Sequence, residues 1–350
     1  MRAFSRLIVF FLKVFPMLPS RFLNRITPTP LIERVQYPTT AGMAEGDLYR
    51  PSSPGTNPGI VVCLGVVPFE VNHPQVPRLG EALARAGFVV LLYWSPAMRD
   101  FRLVSDDIEN ISLAYDWLIK QPFVDASRSG LLGTCVGGSY AIMAAAQPLV
   151  RGRLAFLSAY APFSSINTFA KDILTSSVEI DGQILPWKVD QLTRRVFVHS
   201  LTDGLEDNEA QKFRTTLAFD GKSFDGLGLS EDGRKIYEVL TGSTRENADE
   251  KLKQLPDWLQ EKLKTISPVN HLDGLKVPLF VILHDAGDQV IPVGESRRLV
   301  DLLQSRQTVN YTEMHFSHLD PAKGKLPLPR LIWEFGKFIR AMLPLFQQTS

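Results

Sequence analysis

Residues 129–138 read SGLLGTCVGG, and the reading of this stretch decides the fold. Ser129–Leu132 is a short apolar run of the kind a strand shows when both of its faces are covered. It runs directly into Gly133-Thr134-Cys135-Val136-Gly137-Gly138, and Tyr140–Ala146 continues as a small-residue helix. A strand, a sharp turn and a helix in this order hold the central residue of G-x-C-x-G in a strained backbone conformation. Side chains two residues before and two after the cysteine would clash, which explains glycine at 133 and 137. The helix aims its free N–H groups at the Cys135 sulfur and favours thiolate over thiol. The plainer alternative is a glycine-rich turn around a buried structural cysteine. The other cysteine, Cys63, lies inside the apolar run Ile60–Leu64 and reads as core.

Outward from this stretch the chain alternates strand and helix. Leu31–Tyr37 and Glu45–Arg50 read as antiparallel strands joined by a glycine-containing turn. Ile60–Leu64, Phe88–Tyr93, Leu154–Ala159, Val277–Leu283 and Thr308–Thr312 read as further strands. Leu79–Ala86, Asp106–Lys120, Arg297–Leu303 and Leu331–Leu343 read as helices. This alternation predicts an α/β fold with a mostly parallel sheet and helices on both faces. From about Ser164 to Pro268 no buried strand run occurs. Helical segments dominate there, among them Glu209–Leu217, Arg234–Leu240 and Ala248–Leu263, and they read as an inserted helical lid. The expected organisation is an amphipathic start at 1–27, a core in two parts at 28–163 and 269–350, and the lid at 164–268.

Composition excludes several functions. The chain has 350 residues, 45% hydrophobic and 21% charged, which is ordinary globular composition. Its 38 Lys and Arg balance 37 Asp and Glu, so no basic block recommends nucleic acid as a partner. Two cysteines make neither a disulfide framework nor a zinc set, and they fit a reducing, cytoplasmic compartment.

A cysteine nucleophile needs a base, and the base needs an acid to orient it. Asp288 lies in LHDAGDQVIP, just after a buried strand and before Val290-Ile291-Pro292. The last strand is followed by Met314-His315-Phe316-Ser317-His318-Leu319-Asp320. Among six histidines, His315 and His318 therefore stand in the base's place, and counting from Val309 along the strand favours His318. A turn-capping aspartate and surface histidines are the simpler reading of each residue taken alone. A metal site built from His315, His318 and Asp320 lacks a distant fourth ligand.

Cys, Asp and His in this chain order match the triad order of the α/β-hydrolase superfamily. Within it the chain resembles the dienelactone hydrolase family over about residues 31–160 and 268–343. The resemblance rests on Gly133, Cys135, Gly137 and Gly138 at the elbow. It also rests on Gly287-Asp288-Gln289-Val290-Ile291-Pro292 and on a histidine after the last strand. It implies an α/β-hydrolase fold and a Cys135–Asp288–His318 triad acting on an ester, thioester or lactone, with no cofactor. The family's glutamate after the third strand falls here on Gly65 or Val66, and the nearest acid is Glu70. The large lid also lies outside the minimal family fold.

In the expected mechanism His318 takes the Cys135 proton, Asp288 fixes the imidazole tautomer, and the thiolate attacks a carbonyl. The N–H of Val136 and one from the Gly65–Val67 turn, assigned to Val66, hold the oxyanion. Arg99 and Arg102 follow the fourth strand, where they either reach an acidic substrate group or sit solvated at the surface. Acyl transfer and thioester hydrolysis use the same triad. A non-catalytic membrane-associated binding protein is the alternative from another class.

The N-terminus carries a separate signal. Residues 7–18 read LIVFFLKVFPML, too short to span a bilayer. At about 100° per residue, Arg2, Arg6 and Lys13 share one sector. Phe4, Leu7, Ile8, Phe11, Val14, Phe15 and Leu18 fill the other side. This pattern predicts attachment of residues 2–18 to a membrane surface, or packing on the protein's own core or a second subunit. The oligomeric state stays open.

Overall fold

The structure is a computed structural model that describes residues 2–14, 20–67, 73–219, 224–315 and 327–349. Two helices, α1 (Arg2–Val14) and α2 (Ser20–Ile26), precede a hairpin of β1 (Leu31–Thr39) and β2 (Gly42–Arg50). Then come β3 (Asn57–Cys63), α3 (Gln75–Arg85), β4 (Val89–Tyr93), α4 (Pro96–Arg99), α5 (Asp106–Leu118), β5 (Val124–Thr134), α6 (Val136–Ala145) and β6 (Phe156–Tyr160). An insertion follows: α7 (Ile166–Thr175), β7 (Ser177–Ile180), β8 (Gln183–Pro186), α8 (Gln191–Leu201), α9 (Asp207–Thr216), α10 (Glu231–Gly242), α11 (Ala248–Leu252) and α12 (Asp257–Thr265). The chain returns to the sheet with β9 (Leu279–Asp285), α13 (Val293–Gln304), β10 (Asn310–Met314) and α14 (Leu328–Gln347).

Eight strands form one sheet in the order β1-β2-β4-β3-β5-β6-β9-β10. The β1–β2 and β2–β4 pairs are antiparallel, and every other neighbouring pair is parallel. The α/β expectation therefore holds. Strand alternation divides the core into two layers. Val61, Cys63 and Leu131 face a layer shared with α5, α6 and the insertion. Ile60, Val62 and Leu132 face a layer shared with α1, α3 and α14. β3 pairs with β4 on one side and β5 on the other, so the chain direction switches across the carboxyl ends of β3 and β5. A crevice for ligand opens at such a switch point.

The insertion differs from expectation in detail. It contains a hairpin, β7–β8, whose second strand is exposed throughout and so leaves no apolar alternation to read. The expected helix Ala248–Leu263 is two helices, broken where Pro256 precedes Asp257 and cannot continue α11. The fully buried Glu295 carboxylate fastens the insertion's start to α13, accepting from Ser164 N and Oγ at 2.8 and 2.6 Å and from Thr168 Oγ1 at 2.7 Å.

The N-terminal helix α1 packs on the protein's own core. Leu7, Phe10 and Phe11 are buried by the protein itself. The Phe11 ring lies 4.7 Å from that of Phe338 and 5.4 Å from that of Phe335, both on α14, and Phe10 lies 5.4 Å from Phe346. Lys13 pairs with Glu81 of α3 at 2.5 Å. The described part of the apolar side is thus largely covered by α3 and α14, and of its described large residues only Phe4 is half exposed. Phe15 and Leu18 lie outside the described residues. No helix among the described residues is long and apolar enough to cross a membrane.

Candidate active site

Steric necessity builds the elbow. Cys135 sits at φ 56°, ψ −135°, between β5 and the first turn of α6. A non-glycine residue holds such a conformation only where its surroundings over-determine it. Here they do: Cys135 N–H donates to Tyr160 O at 2.8 Å, and Cys135 O accepts from Gly138 N–H at 2.8 Å. A Cβ at Gly133 would lie 2.3 Å from Gly137 O, and one at Gly137 would lie 2.3 Å from Cys63 O and 2.6 Å from Gly65 N. Gly65 has φ +69°, and a Cβ there would lie 2.7 Å from Thr134 O. Thr134 Oγ1 donates to Leu64 O at 2.9 Å. The loop after β3 and the elbow after β5 therefore lock together, and Val66 and Val136 both flank Cys135.

A cavity of about 30 Å³ opens beside Cys135, lined on the core side by Val66, Val136, Leu103, Val290 and Ile291. Its roof comes from α7, α8 and α12 of the insertion.

Asp288 follows β9 as expected, and its carboxylate is fully buried. One oxygen accepts from Val290 N at 2.7 Å and from Ile291 N at 3.2 Å. The other lies 3.5 Å from His284 Nε2. His284, the penultimate residue of β9, is a partner that sequence reasoning did not single out. Its Nε2 lies 2.9 Å from Ile291 O and its Nδ1 2.6 Å from Ser296 Oγ. A carbonyl only accepts, so Nε2 carries a proton and His284 braces the Asp288 loop. No sequence signal marks this role, since a histidine closing an apolar run does not say what it will hold. Tyr160 was also missed. Its carbonyl accepts from the Cys135 N–H, and burial pushes its phenol well above the usual range.

The strand before the histidines ends at Met314, two residues later than expected, so His315 follows it directly. His315 is turned to α14: its N–H donates to Glu334 Oε2 at 3.1 Å, and its Nδ1 lies 3.5 Å from Glu334 Oε1. His318, Asp320, Glu70 and Pro68 lie outside the described residues. Among the described residues no group of three His, Cys, Asp or Glu gathers to hold a metal.

Arg102 is not simply solvated. It pairs with Asp203 of the insertion at 2.6 Å. Arg99 lies over the Trp94 ring at 5.9 Å, and neither arginine lines the cavity. Cys63 is core, as read: burial pushes its thiol far up, and Asp107 adds to the rise.

No protein-family model matches the chain. A curated relative from Bradyrhizobium sp., "Probable 2-oxo-3-(5-oxofuran-2-ylidene)propanoate lactonase", is 28% identical over 178 residues, covering 43% of this chain and 71% of the relative. Among solved structures, a 2,6-dihydroxy-pseudo-oxynicotine hydrolase matches with TM-score 0.51 at 16% identity, over 93% of this chain and 72% of its own. Pyrococcus horikoshii acylaminoacyl peptidase matches with TM-score 0.54 at 13% identity, over 93% of this chain and 44% of its own. With the sheet order and the elbow on β5, these likenesses define the class: the chain has the α/β-hydrolase fold.

Proposed function

We propose that the chain is a hydrolase that opens an ester, thioester or lactone of a small molecule through a cysteine acyl-enzyme, in the manner of the dienelactone hydrolases. The observation that carries the reading is the strained backbone of Cys135. It holds the sulfur at the amino end of α6, against a cavity shared with Val66 and the Asp288 loop. The lactonase relative supports the bond type.

In this reading the thiolate attacks the carbonyl carbon, and the oxyanion takes the N–H groups of Val136 and Val66, each worth roughly 3 kcal/mol in the transition state. His318 is the base. The reading is supported by the engagement of His284 with Ser296 and Ile291 and of His315 with Glu334. Asp288, its first oxygen held by two backbone N–H groups, turns its second oxygen to orient the imidazole. The base returns its proton to the leaving group, and water then releases the acyl group from sulfur. Segment 164–268 acts as the lid over the core parts 28–163 and 269–350, and 1–27 braces the opposite face.

The test is a panel of acyl esters, thioesters and lactones with wild type, Cys135→Ala and His318→Ala. Both variants should lose at least about a thousandfold in kcat/KM, as loss of a triad member does. Full activity in Cys135→Ala would overturn the reading. An acceptor-dependent product with little hydrolysis would make the enzyme an acyltransferase on the same triad.

Peripheral attachment to a membrane is a second reading for the N-terminal face. It is supported by the large apolar side chains exposed there: Phe4, Phe22, Ile26, Ile332 and Trp333 on α1, α2 and α14. Flotation with anionic vesicles, comparing wild type with a Phe22→Ser/Trp333→Ser variant, tests it. Equal flotation of the two, or none by wild type, removes this reading.

A further inference from the structure

The cavity at Cys135 has a lining that the chemistry at sulfur does not itself require. Its roof is carbon: Phe169 and Ile173 of α7, Val196 and Phe197 of α8, and Leu263 of α12. Two hydroxyls reach the wall, and both serve the scaffold. Thr193 Oγ1 donates to Val290 O at 2.9 Å, and Ser200 Oγ accepts from Leu103 N–H at 3.0 Å. Among the described residues that line it, Cys135 is the only ionisable one. A carboxylate placed against this roof would shed its hydration and find, among the described side chains, only the hydroxyl proton of Ser200 in return. An alkyl chain would exchange water for apolar contact along its length.

We infer that this cavity is the acyl-chain site, that it selects uncharged aliphatic acyl groups over acyl groups bearing a carboxylate, and that α8 sets the chain length. The inference rests on the acyl-enzyme reading above. Its volume, about 30 Å³, is roughly twice the 10–15 Å³ that one water needs, so a short acyl group fits it as it stands. A longer chain must displace the roof. Of the roof helices, α8 contributes the longest run of lining residues, from Leu192 to Leu201. It is tied down by Thr193 and Ser200 and by Lys262 Nζ, which donates to Ser200 O at 2.9 Å. Val196 is central in that run, so its volume should govern how long a chain is accepted.

Two measurements test this. The first compares kcat/KM for the p-nitrophenyl esters of acetate, butyrate and hexanoate with that for the hydrogen glutarate mono-ester. Wild type should prefer butyrate to the charged ester by at least about tenfold. Val196→Ala should move the preferred chain up by about two carbons. Val196→Phe should cut butyrate turnover at least about tenfold while leaving acetate within about threefold, each methylene being worth roughly a factor of four. Circular dichroism of both variants checks that α8 is kept. Equal rates on the charged and uncharged esters, or the same length preference in both variants, would overturn the inference. The second measurement needs no turnover: saturation-transfer NMR of 2-hexanone and 5-oxohexanoate on Cys135→Ala. Binding of the ketone alone supports the site, and equal binding of the two overturns it. If Cys135→Ala binds the ketone and still hydrolyses esters at full rate, the chain site stands and the assignment of the nucleophile falls.

Discussion

The carboxyl ends of β3 and β5 lie side by side in the sheet, Cys63 paired with Gly133, and each end brings a cysteine to the same edge. The two thiols are chemically identical and both largely buried, 1% and 7% exposed. Their surroundings make them opposites. Cys63 is the last residue of a parallel strand, and burial with Asp107 nearby suppresses its ionisation. Cys135 is one residue past its strand, at positive φ, at the amino end of a helix and on a cavity. The difference lies in the backbone and its glycines rather than in the side chain.

The comparison breaks most completely at the glycines. Gly137→Val should yield no folded protein, because its Cβ would meet the Cys63 carbonyl oxygen at 2.3 Å, and backbone on both sides leaves nothing to yield. Soluble, cooperatively melting Gly137→Val would show that elbow and β3 loop are less tightly joined than described.

Next in size is reactivity. Iodoacetamide should alkylate Cys135 in the folded protein at least about a hundredfold faster than Cys63, read by peptide mass mapping, because a protonated and enclosed thiol does not attack. Equal labelling would erase the distinction.

Stability should separate the cysteines in the other direction. Cys63→Ser buries a hydroxyl in the core and should cost about 1–3 kcal/mol in urea unfolding while activity is kept. Cys135→Gly should raise stability by about 1–3 kcal/mol by removing a strained φ, while abolishing turnover. A destabilised Cys135→Gly would mean that the cysteine side chain contributes more by packing than its backbone costs.

The smallest effect belongs to His315. His315→Ala should leave kcat/KM within about threefold, because Glu334 already engages the ring. A dead His315→Ala would assign the base to this histidine instead.

What the sequence made legible follows the same division. The strands of the sheet were readable because burial on both faces writes itself as continuous apolar runs such as Ile60–Leu64. The elbow was readable because glycines at 133 and 137 have a steric reason that the structure bears out in distances. The partner of α1 was not, since amphipathicity marks a covered face and does not say whether Phe338 or lipid covers it. The placement of the histidines suffered from an end effect: β10 runs on to Met314 through Glu313, a polar residue that pairs with Arg297 and so stays in the strand. His284 escaped notice because nothing in an apolar strand announces that its last imidazole will brace the following turn.

The most direct measurement is the covalent one. The enzyme is mixed with p-nitrophenyl butyrate, quenched in acid within milliseconds, and its digested peptides are weighed. The account predicts a butyryl adduct on the peptide that carries Cys135, absent in Cys135→Ala. In His318→Ala the adduct should form at least about a thousandfold more slowly, because the same base activates the sulfur. A butyryl group on another residue, or turnover with no adduct on Cys135 under any quench, would contradict it.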